Sequence, residues 1–136
     1  MKLIRLIPFF LIFTFGNAFS YDYHHGLYDR TIALERSVHN LEHRLRHLTG
    51  YSHLTADARR LRNSVHRFKH DLNNGRSEWH LRREYNRINA RYRHLRHRFY
   101  HAHRIHHHHG VQHSLQHVHS HLHRFRHSAR HYLHLH

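Results

Sequence analysis

The sequence predicts an all-α protein: an antiparallel up-down four-helix bundle, built of coiled-coil-like helical hairpins, that follows a cleaved signal peptide. Three observations carry this expectation. Apolar residues recur at alternating steps of four and three in four successive segments, the spacing that lays one apolar stripe along a helix. Turn-forming glycine and asparagine fall between the segments, as in Thr49-Gly50 and Asn73-Asn74-Gly75. The single proline, Pro8, precedes all of them, so no later helix is interrupted.

Residues 1–20 are the expected signal peptide. Lys2 and Arg5 lead, residues 6–15 (LIPFFLIFTF) are apolar, and Gly16, Asn17 and Ala18 precede a cleavage point near Ala18 or Ser20. A cationic start, an apolar segment too short for a stable span and small residues at the cut are the parts of a secretory leader. A retained membrane anchor is the alternative. On the first reading the mature chain, residues 21–136, is a single helical domain that is secreted or periplasmic. It has no cysteine, hence neither a disulfide nor a lipidated thiol. Residues 21–26 (YDYHHG) lack a period and read as a flexible leader.

The first helix is expected at about 29–48, where Leu34, Val38, Leu41, Leu45 and Leu48 form the seam, Asp29 offers an N-cap and Thr49-Gly50 a stop. The second, about 52–73, carries Tyr51, Leu54, Ala58, Leu61, Val65, Phe68 and Leu72. The third, about 78–105, opens with Ser77 as N-cap and Glu78 favouring the helix dipole, and carries Leu81, Tyr85, Ile88, Tyr92, Leu95, Phe99 and Ala102. The fourth, about 111–134, restarts out of phase with Val111, Leu115, Val118, Leu122, Phe125, Ala129 and Tyr132, which puts a turn at Gly110. Short connections favour antiparallel neighbours. The same seams also allow two long hairpins that pair as a homo-oligomer.

Charge is distributed unevenly. The formal net charge is +15, and removal of Lys2 and Arg5 leaves +13. All eight acids precede residue 85, whereas residues 85–136 hold nine arginines, seventeen histidines and no carboxylate. Histidine ordinarily titrates at about 6.5, so acidification charges this half further, against mutual repulsion.

Several chemistries are excluded. A di-iron bundle needs inward Glu-x-x-His pairs, but Glu35, Glu42, Glu78 and Glu84 are followed three places on by Val38, Leu45, Leu81 and Arg87. Every seam position is apolar, so no internal haem is expected either. There is no His-Glu-x-x-His, no Gly-x-Ser-x-Gly elbow and no glycine-rich nucleotide loop, and the chain is read as a non-enzyme.

What remains is imidazole on the outer faces. His39, His43 and His47 follow one another at steps of four on the first helix, His66 and His70 on the second, and His97 and His101 on the third. The fourth carries one line of His113, His117 and His121 and another of His119, His123, His127 and His131. Side chains four apart on a helix are close enough for two imidazoles to chelate one ion. Imidazole suits zinc, copper and nickel ions, and a pair leaves other positions to water, so several exchangeable sites are expected. His106, His107, His108 and His109 form a flexible loop cluster in this reading. A single surface pair is ordinarily only a solvated face; the repetition is what points to transition metal ions as partners.

The competing reading makes the arginines primary. Arg87, Arg91, Arg93, Arg96, Arg98, Arg104, Arg124, Arg126 and Arg130 create a field for an anionic polymer or membrane surface. No specific nucleic acid is implied, since any such surface binds phosphate backbones. Tyr85, Tyr92, Phe99, Phe125 and Tyr132 sit at seam spacing and read as core, and Trp79, off the seam, is expected to cover a bundle end. The general character, exported, cysteine-free, helical and basic, is similar to small periplasmic helical stress-response proteins. Their Leu-Thr-x-x-Gln repeat is absent, because Leu48-Thr49 is followed by Gly50-Tyr51-Ser52, and no residue role is carried over.

Overall fold

Each of the four seams becomes the buried side of a helix. The structure is a computed structural model that describes residues 16–135, with side chains from residue 24 onward. Helix α1 spans Gly16–Arg46, α2 Ser52–Asn73, α3 Glu78–His101 and α4 His109–Tyr132, with a short 3-10 turn at Ile105–His107. Among the described residues there is no strand. The apolar run at residues 6–15 lies outside them.

The helices pack through one continuous core. Leu34, Val38, Leu41 and Leu45 meet Leu54, Leu61, Val65 and Phe68, then Ile88, Leu95 and Phe99, then Val118, Leu122 and Phe125, all essentially inaccessible to water. Burying one such side chain is worth about 1.5–3 kcal/mol, which is why the seam spacing dominates helix propensity here. Phe68 and Phe125 cross edge to face with ring centroids 5.1 Å apart, joining α2 to α4 at the centre.

Residue numbers on neighbouring helices run in opposite senses. Glu35 meets Lys69 while Glu42 meets Arg59 and Arg62. Asp57 meets Arg98 while Glu84 meets Arg67. Asn89 meets Arg126 while Tyr92 meets His119. Backbones approach closely between α1 and α2, α2 and α3, and α1 and α4. The α3/α4 seam is wider and is spanned by the large side chains of Tyr85, Tyr92 and Phe125.

Four local expectations are corrected. First, residues 21–26 are not a loose leader: α1 runs through them from Gly16, and Asp29 lies inside the helix rather than at its cap. The α1 seam starts earlier than its apolar pattern shows, because Leu27 is fully buried and the next seam position is Thr31, whose hydroxyl donates to the Leu27 carbonyl at 2.8 Å. His24 is tied down as well, its Nε2 donating to the Leu72 carbonyl at 3.3 Å.

Second, α3 stops at His101, not near residue 105, and Gly110 belongs to the first turn of α4 instead of marking the break. The chain reverses at Arg104, which takes a left-handed φ of 63°. That conformation is uncommon outside glycine and asparagine. Ile105 then drops into the end of the core and is fully buried. Third, Ser77 occupies the N-cap position of α3, but its hydroxyl lies 2.8 Å from the His80 ring and makes no side-chain cap bond. Fourth, Trp79 covers nothing: it is 62 % exposed, with the Arg83 guanidinium 5.0 Å from its ring.

The stop after α2 holds because Gly75, next to the Asn74 C-cap, supplies the positive φ that ends a helix, whereas α1 already ends at Arg46 and Gly50 lies in the turn beyond it. Gly50 has φ of 90° and Gly75 of 61°.

Candidate functional site

Because the seams take the apolar side chains, the remaining helix faces are left to histidine and arginine. Their mutual placement decides what the surface can do. Five steps of four bring rings together. Ring centroids lie 4.6 Å apart for His43 and His47, 4.4 Å for His97 and His101, and 4.7 Å for His127 and His131. On α4 the line continues, with 4.5 Å between His113 and His117 and 6.4 Å between His117 and His121.

His43 and His47 are the most closely engaged, their Nε2 atoms standing 3.3 Å apart. Two nitrogens on one tetrahedral ion, each at about 2.0–2.1 Å from it, are themselves separated by about 3.3 Å. The pair thus already has the bite of a bidentate ligand. Among the described residues no three His, Asp or Glu side chains are gathered around one point, so such a pair leaves further coordination positions to solvent or another molecule.

Other expected ligands have different partners. His39 Nδ1 lies 3.1 Å from Arg62, His66 Nδ1 2.8 Å from Glu35, and His70 within reach of Asn74. His119 Nδ1 and the Tyr92 hydroxyl share a hydrogen bond of 2.9 Å, and His123 is exposed farther along the same helix. The expected free cluster at 106–109 is ordered instead. His106 and His107 belong to the 3-10 turn, His108 occupies the N-cap position of α4 without a side-chain cap bond, and His109 begins the helix. His106 stacks on Tyr100 and bonds Gln112 at 3.2 Å, while His108 meets the Tyr51 ring edge-on. His106 and His119 both face a cleft of about 510 Å³ between α3 and α4.

A larger groove of about 1180 Å³ runs between α1 and α4. One wall carries His43 and His47, the other His109, His113, His117 and His121, with His108 at the end. Small residues line its floor, among them Ala33, Ser37, Gly110 and Ser114. Two arginines, Arg36 and Arg44, also line it, and no carboxylate does. His121 is held below the ordinary histidine value by its burial, by Arg124, and then by His117 and Arg30.

Carboxylates are concentrated on the other seams, where the sequence pattern did not reveal them as buried. Glu42 is inaccessible and receives Arg46 at 2.9 Å, Arg59 at 3.1 Å and Arg62 at 2.8 Å. Asp57 receives Arg98 at 3.1 Å and Arg60 at 3.4 Å. Glu84 receives Arg87 at 2.5 Å and Arg67 at 3.5 Å. A signal was present in the run of acids with arginine three or four places on, Glu42/Arg46 and Glu84/Arg87.

The arginine field is accordingly uneven. Arg87 and Arg98 are engaged by carboxylates, and Arg126 donates to the Asn89 side chain at 2.5 Å. Arg96 lies 5.6 Å from the Tyr100 ring. Arg91 is half-buried, and desolvation, then the charges of Arg67, Arg60 and Arg87, lower its guanidinium from the usual value. Arg93, Arg104, Arg124 and Arg130 are exposed with no carboxylate in ion-pair range among the described residues. Every ion pair among those residues lies on α1, α2 or α3, leaving α4 with cations alone.

No helix among the described residues is long and apolar enough to cross a membrane. Comparison with protein-family models, with curated proteins and with solved structures finds no match to this chain.

Proposed function

We propose that this chain is an exported, non-enzymatic four-helix bundle of antiparallel up-down topology that binds and buffers divalent transition metal ions through pairs of surface histidines. The observation that carries this reading is the 3.3 Å separation of His43 Nε2 and His47 Nε2, which fits two imidazoles on one ion. Repetition of close ring pairs at His97/His101, His113/His117 and His127/His131 multiplies the capacity. Two-ligand sites on rigid helices exchange readily and have moderate affinity, which suits a buffer of zinc, copper or nickel better than a structural centre. Export is proposed from the leader-like residues 1–20.

The test is titration of the mature protein, purified without an immobilised-metal column, with Zn(II), Cu(II) and Ni(II). Several equivalents are expected at pH 7.5 and release near pH 5.5, where imidazole is protonated. Binding no tighter than that of a short unstructured histidine peptide would sink the proposal. Metal analysis of protein taken from its native compartment asks whether the sites are filled there.

A second reading is favoured by one observation, the absence of any carboxylate on α4. On this reading the cationic surface docks on an anionic envelope polymer or membrane. Retention on heparin or anionic vesicles should then weaken with salt, strengthen below pH 6 and ignore chelator.

A further inference from the structure

Several cations that face a neighbouring helix across the α1/α2 and α2/α3 seams are held by buried acids, Arg59 and Arg62 by Glu42, Arg67 by Glu84 and Arg98 by Asp57, whereas Arg91 faces Arg67 and Arg60 with no ion pair of its own among the described residues. The α1/α4 groove has no such acids. Arg36 and Arg44 line it, neither has a carboxylate within ion-pair distance among the described residues, and the groove has no acid of its own. Two guanidiniums thus border one groove that has no carboxylate, although Arg36 also borders the α1/α2 groove where Glu35 stands, and their charge is open to an anion.

We propose that the α1/α4 groove is a binding site for phosphate-type oxyanions, with Arg36 and Arg44 as its fixed charges. Guanidinium presents a planar fork of donors that matches phosphate oxygens. From the level of Ala33 and His121 to that of Leu48 and His108 the groove follows α1 for about 22 Å at 1.5 Å per residue, long enough for a linear chain of phosphates. The Asn40 amide lies on the same wall and adds neutral donors.

Gly110 explains how Arg44 is placed. A Cβ at that position would come within 2.8 Å of Arg44 Nη1, so the glycine makes room for the guanidinium at the start of α4. Histidines of both helices also face the groove, His43 and His47 on one wall and His113, His117 and His121 on the other. Arg30 and Arg124 add charge beside His121. This site rests on the second reading of the surface, and its two arginines are not among the residues read as metal ligands.

The test uses inorganic polyphosphate and orthophosphate as probes, titrated calorimetrically into chelator-treated mature protein at pH 7.5. The double variant Arg36→Ala/Arg44→Ala should weaken polyphosphate binding about tenfold at pH 7.5. An equal charge removal elsewhere, Arg93→Ala/Arg130→Ala, should weaken it by less than about twofold. Equal losses in the two variants would mean a diffuse field and overturn the site. Gly110→Ala supplies a variant that keeps its fold: it should raise Tm, because alanine favours the helix, while weakening polyphosphate binding by displacing Arg44. Unchanged binding in Gly110→Ala would overturn the role given to Gly110 in placing Arg44. Orthophosphate that competes and shows the same arginine dependence identifies the free ion as a sufficient ligand; arginine-dependent binding of polyphosphate alone assigns the site to the polymer. Zinc uptake by Arg36→Ala/Arg44→Ala should match the parent, so failure of the anion site is separable from failure of the metal reading.

Discussion

His43 and His47 stand one turn apart on α1 with their Nε2 atoms 3.3 Å from each other. Such an approach requires at least one neutral ring, since one nitrogen must offer a lone pair to the other's N–H. A divalent ion can take the place of the shared proton with little movement of either side chain. His43→Ala and His47→Ala are each expected to abolish one zinc equivalent or weaken it about tenfold or more, measured by competition with a zinc-sensitive dye at pH 7.5. Unchanged stoichiometry and affinity in both variants would show that this pair is not a ligand.

Glu42 offers a stability test with a defined sign. Its burial alone would raise the carboxyl, but hydrogen bonds from Arg59 and Arg46 and the charge of Arg62 outweigh burial and hold it below the ordinary 4.5. A carboxylate that is more acidic folded than unfolded stabilises the fold above its unfolded value, and this contribution is lost as the pH falls through its folded value. Glu42→Gln should therefore cost about 1–3 kcal/mol at pH 7, less than for a fully buried pair because Arg46 and Arg59 are half exposed. Urea denaturation should show that the difference between parent and variant shrinks below pH 4. A cost that is the same at pH 7 and pH 3 would mean that packing, not charge, is what Glu42 supplies.

His121 carries the complementary signature on α4. Burial first, then Arg124, His117 and Arg30, keep its imidazole below the ordinary 6.5, so the fold favours the neutral ring. The stability it contributes is present above 6.5 and is lost as the pH falls through the lower folded value. Titration followed by NMR should place His121 below an exposed histidine of the same chain, and His121→Gln should flatten the loss of stability between pH 7 and pH 5. An imidazole that titrates at or above 6.5 would contradict this placement.

The four helices were legible because buried side chains obey the 4,3 spacing from Leu34 to Ala129 with few exceptions. The departures are where a polar residue occupies a seam or a single apolar residue closes one. Thr31 satisfies its hydroxyl on the preceding turn, so the stripe between Leu27 and Leu34 is masked in the sequence. The surface histidine lines were also legible, since they need only helical spacing. Which lines face one another was not: His43 and His113 share a groove only because α1 and α4, the first and last helices, pack together. Nor could spacing show that Arg36 and Arg44 lack the carboxylates that Arg59 and Arg98 receive, because that depends on which helices are neighbours.

Ile105 tests the misread connection. The third seam ends at Ala102 in the sequence pattern, and Ile105 stands among basic residues, yet the left-handed turn at Arg104 sends it into the core with no exposed surface. The 3-10 turn that follows is held by backbone bonds from His107 to the Arg104 carbonyl and from His108 to the Ile105 carbonyl, both 3.0 Å. If this side chain is the plug that fixes the α3–α4 connection, Ile105→Ala should cost about 2–4 kcal/mol, with the cavity adding to the lost burial. Ile105→Val should cost about 0.5–1.5 kcal/mol. Chemical denaturation measures both. Hydrogen exchange should show protection falling first at residues 102–110, where the plug is lost. A helix that continued to residue 105 would instead leave Ile105 off the seam, and both substitutions would change stability by less than about 0.5 kcal/mol.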